Sequence, residues 1–175
     1  MTIKFDEAPR WQAYITFWWL FLATLILDQA TKLWIVHGSG YILGQVPPQS
    51  GTTIIPGFLN FIYMVNYGAA WGIGEGFGII FTIIAVAVLY AIFRFRRVFE
   101  VKRLPYQVAF GLITPGIVGN AIDRLLRGHV VDFIDVNLQF YRWPTFNIAD
   151  CGIVIGRMSM LIFSTFYDRK NSARK

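Results

Sequence analysis

Four long apolar stretches constrain the fold of this chain more than any other feature of its sequence. They cover about residues 11–36, 77–93, 104–122 and 148–166. Each is near the roughly 20 residues that a helix needs to cross the ~30 Å hydrocarbon core of a bilayer. We therefore expect an α-helical membrane protein with four transmembrane helices, folded as a single integral-membrane domain over residues 1–175.

The composition agrees with this class. Of the 175 residues, 55% are hydrophobic and 15% are charged, whereas soluble domains carry about 25% charged residues. A net charge of +6 would suggest nucleic acid as the partner of a soluble protein, but here the basic residues flank the apolar stretches. We expect membrane lipids, and no nucleic acid, among its partners.

The distribution of lysine and arginine predicts the orientation of the helices. Basic residues occur in the N-terminal tail, in the link between the second and third stretches, and in the C-terminal tail (Lys4, Arg10; Arg94, Arg96, Arg97, Lys102, Arg103; Arg169, Lys170, Arg174, Lys175). Cytoplasmic segments are enriched in these residues. Both termini are therefore expected in the cytoplasm, and segments 33–76 and 123–147 are expected outside.

Segment 33–76 is too long for a simple turn. After a part rich in glycine and proline, it contains β-branched and aromatic residues with interspersed glycines over about 54–74. Such residues favour short strands. We expect a small extracytoplasmic β-sheet between the first and second helices.

Acidic residues crowd the predicted outer ends of the third and fourth helices, and ionisable groups at membrane depth are functional candidates because they are costly. Asp150 follows Asn147 by three residues, which also fits a capping box at the start of the fourth helix, so a structural role stays open. Asp132 lies among apolar residues without such a pattern. Two carboxyls in one site have separated pKa values, which would let this pair act as acid and base on a water molecule.

Other polar residues in the apolar stretches admit two interpretations. Asp28 and Lys32 are four residues apart and share a helix face, either as an ion pair within the helix or as members of the same polar site. Asp123 and Arg124 form either an interfacial ion pair or a scaffold. Asn120, one turn deeper, would bond across helices.

Two further charged residues carry more specific expectations. Asp135 follows Asp132 by three residues and is expected in a solvated loop. Arg157 lies in the middle of the fourth stretch. Because a buried guanidinium needs a partner, we expect Arg157 to face the other helices and to pair with Asp28, either directly or through water. The alternative is a lipid-facing arginine that reaches toward one interface.

Neither a metal nor a cofactor is expected. His37 and His129 have no partners at the spacing of metal ligands. Cys151 follows a carboxylate, which raises the pKa of a thiol and disfavours it as a nucleophile. We interpret Cys151 as a small packing residue.

Four motifs occur along the chain: LDQATK (27–32), NYGAAWGI (66–73), GNAIDRLLRGHVVDF (119–133) and FNIAD (146–150). In this order, and together with the four-helix layout, they resemble the bacterial lipoprotein signal peptidases, which are also called type II signal peptidases. The resemblance covers essentially the whole chain.

The resemblance implies a membrane-embedded aspartyl endopeptidase of the bacterial cytoplasmic (inner) membrane, with its active site near the outer face. Its substrates would be prolipoproteins, cut before a cysteine that already carries diacylglycerol, and globomycin-type inhibitors would occupy the same groove. The implied catalytic pair is Asp132 and Asp150. The positions implied to bind substrate or to form the scaffold of the site are Asp28, Lys32, Asn66, Gly68, Asn120, Asp123, Arg124 and Asn147.

Two other classes of protein remain open. A small proton-coupled transporter subunit would also hold acids in the membrane, but along a path through it, whereas here Asp123, Asp132, Asp135 and Asp150 crowd one end. A relative that has lost its chemistry is disfavoured because Asp132 and Asp150 are both present.

Overall fold

The computed structural model describes residues 14–38, 40–47, 50–68 and 74–172, with side chains described up to residue 165. The helices of this part are α1 (Ile15–His37), α2 (Gly78–Arg94), α3 (Leu104–Arg127) and α4 (Ile148–Ser172). Its strands are β1 (Thr52–Ile55), β2 (Leu59–Asn66), β3 (Val130–Asn137) and β4 (Arg142–Phe146), which form one antiparallel sheet in that order.

All four predicted apolar stretches contain a helix, although residues 11–13 lie outside the described part. By length and composition, α1 and the part of α4 at Ile148–Thr165 are each sufficient to cross a membrane, while α2 is apolar but has only 17 residues. Helix α3 extends five residues beyond its predicted end at 122. It ends where Gly128 adopts a left-handed conformation with φ 77°, which glycine adopts without a steric cost.

Helix α3 is the centre of the bundle and contacts α1, α2 and α4. Glycine residues allow α3 and α4 to approach each other closely. A Cβ on Gly116 would collide with the backbone of Ala149, and a Cβ on Gly156 would collide with that of Ala109. Small residues allow membrane helices to approach in this way, and the polar residues of α3 are thereby enclosed by its neighbours.

The sheet differs from the prediction. It was expected only between the first and second helices, but half of it comes from segment 130–146, between α3 and α4. Strand β3 pairs with β2, and Met64 lies opposite Asp132. The physical reason is that a two-stranded hairpin is marginal by itself, and the β-branched residues of Val130–Asn137 suit a central strand.

A small apolar core attaches the sheet to the end of α1. Ile35 of α1 packs with Val131 and Phe133 of β3, and all three are 0–1% exposed. Because successive side chains of a strand point to opposite faces, Asp132 projects away from this core.

The expectation that Asp135 is solvated was wrong. Its carboxylate is buried and accepts two hydrogen bonds from Arg142, from Nε at 2.6 Å and from Nη2 at 2.7 Å, and a third from Asn60 Nδ2 at 2.9 Å. The hairpin between β3 and β4 brings Arg142 across from it. Burial by itself would raise the pKa of Asp135, but the hydrogen bonds from Arg142 and Asn60 outweigh it and lower that pKa.

Replacing Arg142 with methionine should therefore destabilise the protein. Loss of the guanidinium leaves the buried Asp135 carboxylate with only Asn60, at a cost of about 1–3 kcal/mol. Thermal unfolding in detergent measures this. Arg97→Met, at an exposed arginine in the α2–α3 link, is the matched control and should change little.

The pH dependence adds a second criterion for Arg142→Met. Because the pKa of Asp135 is lowered in the fold, its stabilisation is present above the ordinary carboxyl pKa and is lost as the pH falls below it. The difference between wild type and Arg142→Met should shrink below about pH 4. Equal unfolding temperatures for Arg142→Met and Arg97→Met at pH 7 would contradict the assignment.

Candidate active site

A cluster of buried charges lies where α1 and α3 meet near the sheet. The Lys32 ammonium is 2.9 Å from Asp28 Oδ2, 2.9 Å from Asp123 Oδ2 and 3.1 Å from Asn120 Oδ1. Lys32, Asp28 and Asp123 are all fully buried. Both interpretations of Asp28 and Lys32 therefore apply, since they form an ion pair within α1 and belong to a shared polar site.

The two acids of this cluster, Asp28 and Asp123, also accept hydrogen bonds from backbone N–H groups. Asp28 Oδ1 accepts a hydrogen bond from the backbone N–H of Ala149 at 2.9 Å, which connects α1 to the start of α4. Asp123 Oδ2 accepts one from the N–H of Val131 at 3.1 Å, and its other oxygen pairs with Arg127. These bonds position the elements that carry Asp150 and Asp132.

Asp150 lies in the first turn of α4 and takes part in a capping box. Its N–H donates to Asn147 Oδ1 at 2.9 Å, and its Oδ2 accepts from the N–H of Asn147 at 3.3 Å. Its Oδ1 accepts a hydrogen bond from Asn120 Nδ2 at 2.8 Å. The capping role therefore exists, and the same carboxyl is also bonded into the polar site.

Asp132 on β3 is also hydrogen-bonded to Asn147. Its Oδ1 accepts a hydrogen bond from Asn147 Nδ2 at 2.8 Å, and its Oδ2 accepts one from Asn66 Nδ2 at 3.1 Å. Asn66 Oδ1 accepts the N–H of Gly68 at 2.9 Å. The β3–β4 hairpin brings Asn147 back beside β3, so that the carboxyl of Asp132 accepts from the Asn147 side chain while the carboxyl of Asp150 accepts from the Asn147 backbone N–H.

The surroundings of Asp132 raise the pKa of its carboxyl. Burial raises the pKa of this carboxyl to about 7, and the nearby charge of Asp150 adds to the rise. Hydrogen bonds from Asn66 and Asn147 and the charge of Lys32 offset only part of it. Asp132 can therefore take up and release a proton near neutral pH.

Two cavities meet at Asp132. One, of about 620 Å³, is bordered by Asp150 and by apolar residues of α4. The other, of about 630 Å³, extends over the sheet past Asp135 and Arg142. The residues that border both cavities are Asn66, Asp132, Trp143, Pro144 and Thr145.

Arg124 is the one cation among the described residues that border the cavity beside α4. Its Nη2 donates to the carbonyl oxygen of Gly68 at 2.8 Å, and its guanidinium lies 5.6 Å from the centre of the Phe81 ring. Its Nε is buried without a hydrogen-bond partner in the described part of the chain. The structure thus brings all ten residues implied by the sequence motifs into or next to one site.

Several residues around the site were not singled out from the sequence. Gln29 Nε2 donates to Asp28 Oδ2 at 3.0 Å and to the carbonyl of Gly119 at 3.3 Å. Trp143 and Thr145 on β4 form a wall of both cavities. Gln29 lies inside the LDQATK motif, which could have identified it, whereas nothing in the sequence around β4 marks these wall residues.

The expected pair between Arg157 and Asp28 was wrong. Asp28 is bonded to Lys32 and Ala149, and Arg157 is exposed on the outer surface of α4. The face of α4 that packs on α3 is the one with Gly156. The next residue is rotated about 100° from that face, which turns Arg157 out of the bundle.

The fold and site define a membrane protein with buried acids at one end of a helix bundle. Residues 20–166 match the family model of signal peptidase II. The chain is 37% identical to a lipoprotein signal peptidase of Psychromonas ingrahamii over 159 residues, which cover 87% of this chain and 86% of that protein. It is 43% identical to one of Staphylococcus aureus over 152 residues, which cover 86% and 88%.

A solved bacterial membrane enzyme, determined by the in meso method at 2.3 Å resolution, has the same fold with a TM-score of 0.76 and 38% identity over 89% of this chain and 90% of its own. The chain belongs to the signal peptidase II family, which confirms the family that its motifs resemble. It is therefore a protease of the bacterial membrane, and membership of this family disfavours the transporter alternative.

Lys32→Met should strongly destabilise the protein because it leaves two buried carboxylates without their shared cation. Breaking a buried ion pair in this way costs about 3–5 kcal/mol. Thermal unfolding in detergent measures the effect. Lys102→Met makes the same chemical change at an exposed position and is the control.

A double variant, Lys32→Met with Asp28→Asn, should recover part of the stability because it removes the carboxylate that loses its ion-pair partner, whereas Asp123 keeps Arg127. If Lys32→Met unfolds at the same temperature as Lys102→Met, Lys32 is not the centre of the cluster.

Proposed function

We propose that this protease is an aspartyl endopeptidase, with Asp132 and Asp150 as its catalytic pair. It removes signal peptides from prolipoproteins whose cysteine carries diacylglycerol, and it cuts immediately before that cysteine. The observation that carries the proposal is that Asp132 and Asp150 border one cavity and that both carboxyls accept a hydrogen bond from Asn147, Asp132 from its side-chain amide and Asp150 from its backbone N–H. Membership of the signal peptidase II family supports the substrate class.

In the proposed mechanism the two carboxyls share one proton. The ionised carboxyl removes a proton from water, and the water oxygen attacks the scissile carbonyl carbon. The protonated carboxyl donates its proton to the carbonyl oxygen. The tetrahedral intermediate then collapses, the C–N bond breaks, and a proton passes to the leaving amine. A pKa of about 7 at Asp132 suits a group that both gives and takes a proton at neutral pH.

Asparagines keep the pair in place without neutralising it. Asn147 donates to both carboxyls, from its side chain to Asp132 and from its backbone to Asp150. The side chain of Asn120 donates to Asp150, and that of Asn66 donates to Asp132. A cation in direct contact would hold a carboxyl permanently ionised, whereas a neutral amide orients it and leaves it able to exchange a proton.

The two cavities suit the two parts of the proposed substrate. The cavity beside α4 is bordered by Val154 and Ile155, which are 59% and 55% exposed on the outer surface of the helix. It suits the lipid chains, and a globomycin-type inhibitor would occupy the same space. The cavity over the sheet, with Asp135 and Arg142, suits the peptide backbone.

We infer further that all four helices span the membrane, with both termini in the cytoplasm and the active site near the outer face. The helices contain 23, 17, 24 and 25 residues, within or close to the usual range for a span. The polar residues of α3 are covered by neighbouring helices. The basic link at 94–103 lies at the opposite end of α3 from the sheet, as the enrichment of basic residues in cytoplasmic loops requires.

Asp132→Asn and Asp150→Asn should each lower turnover by at least about 100-fold, because neither amide can exchange a proton. The assay is the gel shift of a purified diacylated prolipoprotein in detergent, with thermal unfolding as a check that each variant folds. Cys151→Ala, beside Asp150 in the same cavity, should remain active. Either asparagine variant that kept a tenth of wild-type turnover would refute the pair, and an inactive Cys151→Ala would indicate a thiol mechanism.

The pH profile should have an alkaline limb with an apparent pKa near 7. Above that pH Asp132 loses the proton that its raised pKa retains, and the two carboxyls no longer share one, so kcat/KM falls as the pH rises. The measurement is kcat/KM between pH 5 and 9 at constant ionic strength. A profile that stays flat to pH 9 would contradict the role of Asp132.

A further inference from the structure

The charged side chain of Arg157 has no role in the proposed mechanism. It is exposed in the middle of α4, and no described residue forms a hydrogen bond or an ion pair with its side chain. A guanidinium at this depth of a membrane helix is costly and indicates a functional site by default.

Helix geometry places Arg157 directly below the cavity beside α4. It follows Asp150 by seven residues, which returns it to nearly the same face and about 10 Å deeper. Ile153 and Val154 border the cavity and precede Arg157 by four and three residues, so they are its neighbours on the surface of the helix. Arg157 does not itself border the cavity, but long side chains of helices point toward the N-terminus, and in that direction its guanidinium is within reach of the cavity end at Ile153 and Val154.

The deep end of this cavity offers the guanidinium little to bind. Of the α4 residues that border it, Ile153, Val154 and Ile155 are apolar, and Asp150 lies about two turns away. The five N–H donors of arginine therefore need acceptors that a ligand brings.

The proposed substrate carries such acceptors at the required place. A diacylglyceryl cysteine has two ester carbonyls on the glycerol that is linked to its sulfur, a few bonds from the peptide bond that is cut. If that bond lies between Asp132 and Asp150, the acyl chains extend down the lipid-facing side of α4. The esters then lie between the two carboxyls and the level of Arg157.

We propose that Arg157 binds the ester carbonyls of the diacylglyceryl group and is a specificity-determining residue of this enzyme, an inference that rests on the proposed function. It recognises the lipid modification and takes no part in the chemistry of cleavage. A bilayer phosphate is the rival ligand, but headgroups lie at the membrane interface, whereas the substrate esters are fixed near the cavity by the cysteine.

The test compares two substrates on four proteins. The substrates are prolipoprotein peptides whose cysteine carries either diacylglycerol or the dialkyl ether analogue, which lacks both carbonyls. The proteins are wild type, Arg157→Leu, Arg157→Lys and the control variant Ile162→Leu. Ile162 is 49% exposed, lies five residues beyond Arg157 and is rotated about 140° from it, so Ile162→Leu controls for changes to the surface of α4.

For the diester substrate, Arg157→Leu should raise KM about ten-fold, as expected for the loss of a hydrogen bond to a charged group, with little change in kcat. Arg157→Lys should be intermediate, and Ile162→Leu should match wild type. For the ether substrate, wild type and Arg157→Leu should have the same KM.

Other outcomes overturn the proposal. Equal KM values for wild type and Arg157→Leu on the diester would show that Arg157 does not bind the substrate. An equal loss on both substrates would indicate a structural role or a contact with the peptide. A loss seen only in vesicles that contain phosphatidylglycerol, and not in neutral detergent, would assign a bilayer phosphate to Arg157. If wild type cleaves neither substrate, the proposed function itself fails.

Discussion

The ammonium group of Lys32 lies between two buried carboxylates, and the rest of the site depends on it. Without it the buried carboxyl of Asp28 would lose its ion-pair partner and that of Asp123 would keep only Arg127, which is costly inside a protein. Beside Lys32, the two carboxyls accept hydrogen bonds from the backbone N–H groups of Ala149 and Val131. One cation thus secures the start of α4 and the start of β3, which are the two elements that carry the proposed catalytic acids.

Asp132 and Asp135 lie on the same strand, β3, but their pKa values are shifted in opposite directions because their neighbours differ. Asp135 faces Arg142 and Asn60, which lower its pKa, so it stays ionised at neutral pH and connects β3 to β4. Asp132, three residues earlier, is held by neutral amides and lies near Asp150, and its pKa rises to about 7. The strand therefore carries one structural acid and one acid that titrates at neutral pH.

Much of the architecture was predictable from local patterns, because the length of an apolar stretch and the chemistry of a helix cap act over a few residues. The helices and the capping box of Asn147 and Asp150 belong to this group. The pairing of β2 with β3, the burial of Asp135 and the outward direction of Arg157 depend on which distant segments meet. Their residues carry no local signal of those contacts, and expectations built on sequence neighbours failed there.

Cleavage of diacylated prolipoproteins before their cysteine is best tested by mass spectrometry of both products that the purified protein forms from one such substrate. Two fragments should appear: an intact signal peptide, and a mature chain whose first residue is the diacylglyceryl cysteine. An unmodified prolipoprotein treated in the same way should stay uncut. A cut at any other peptide bond, or equal cleavage of the unmodified chain, would show that the protein does not have the proposed specificity.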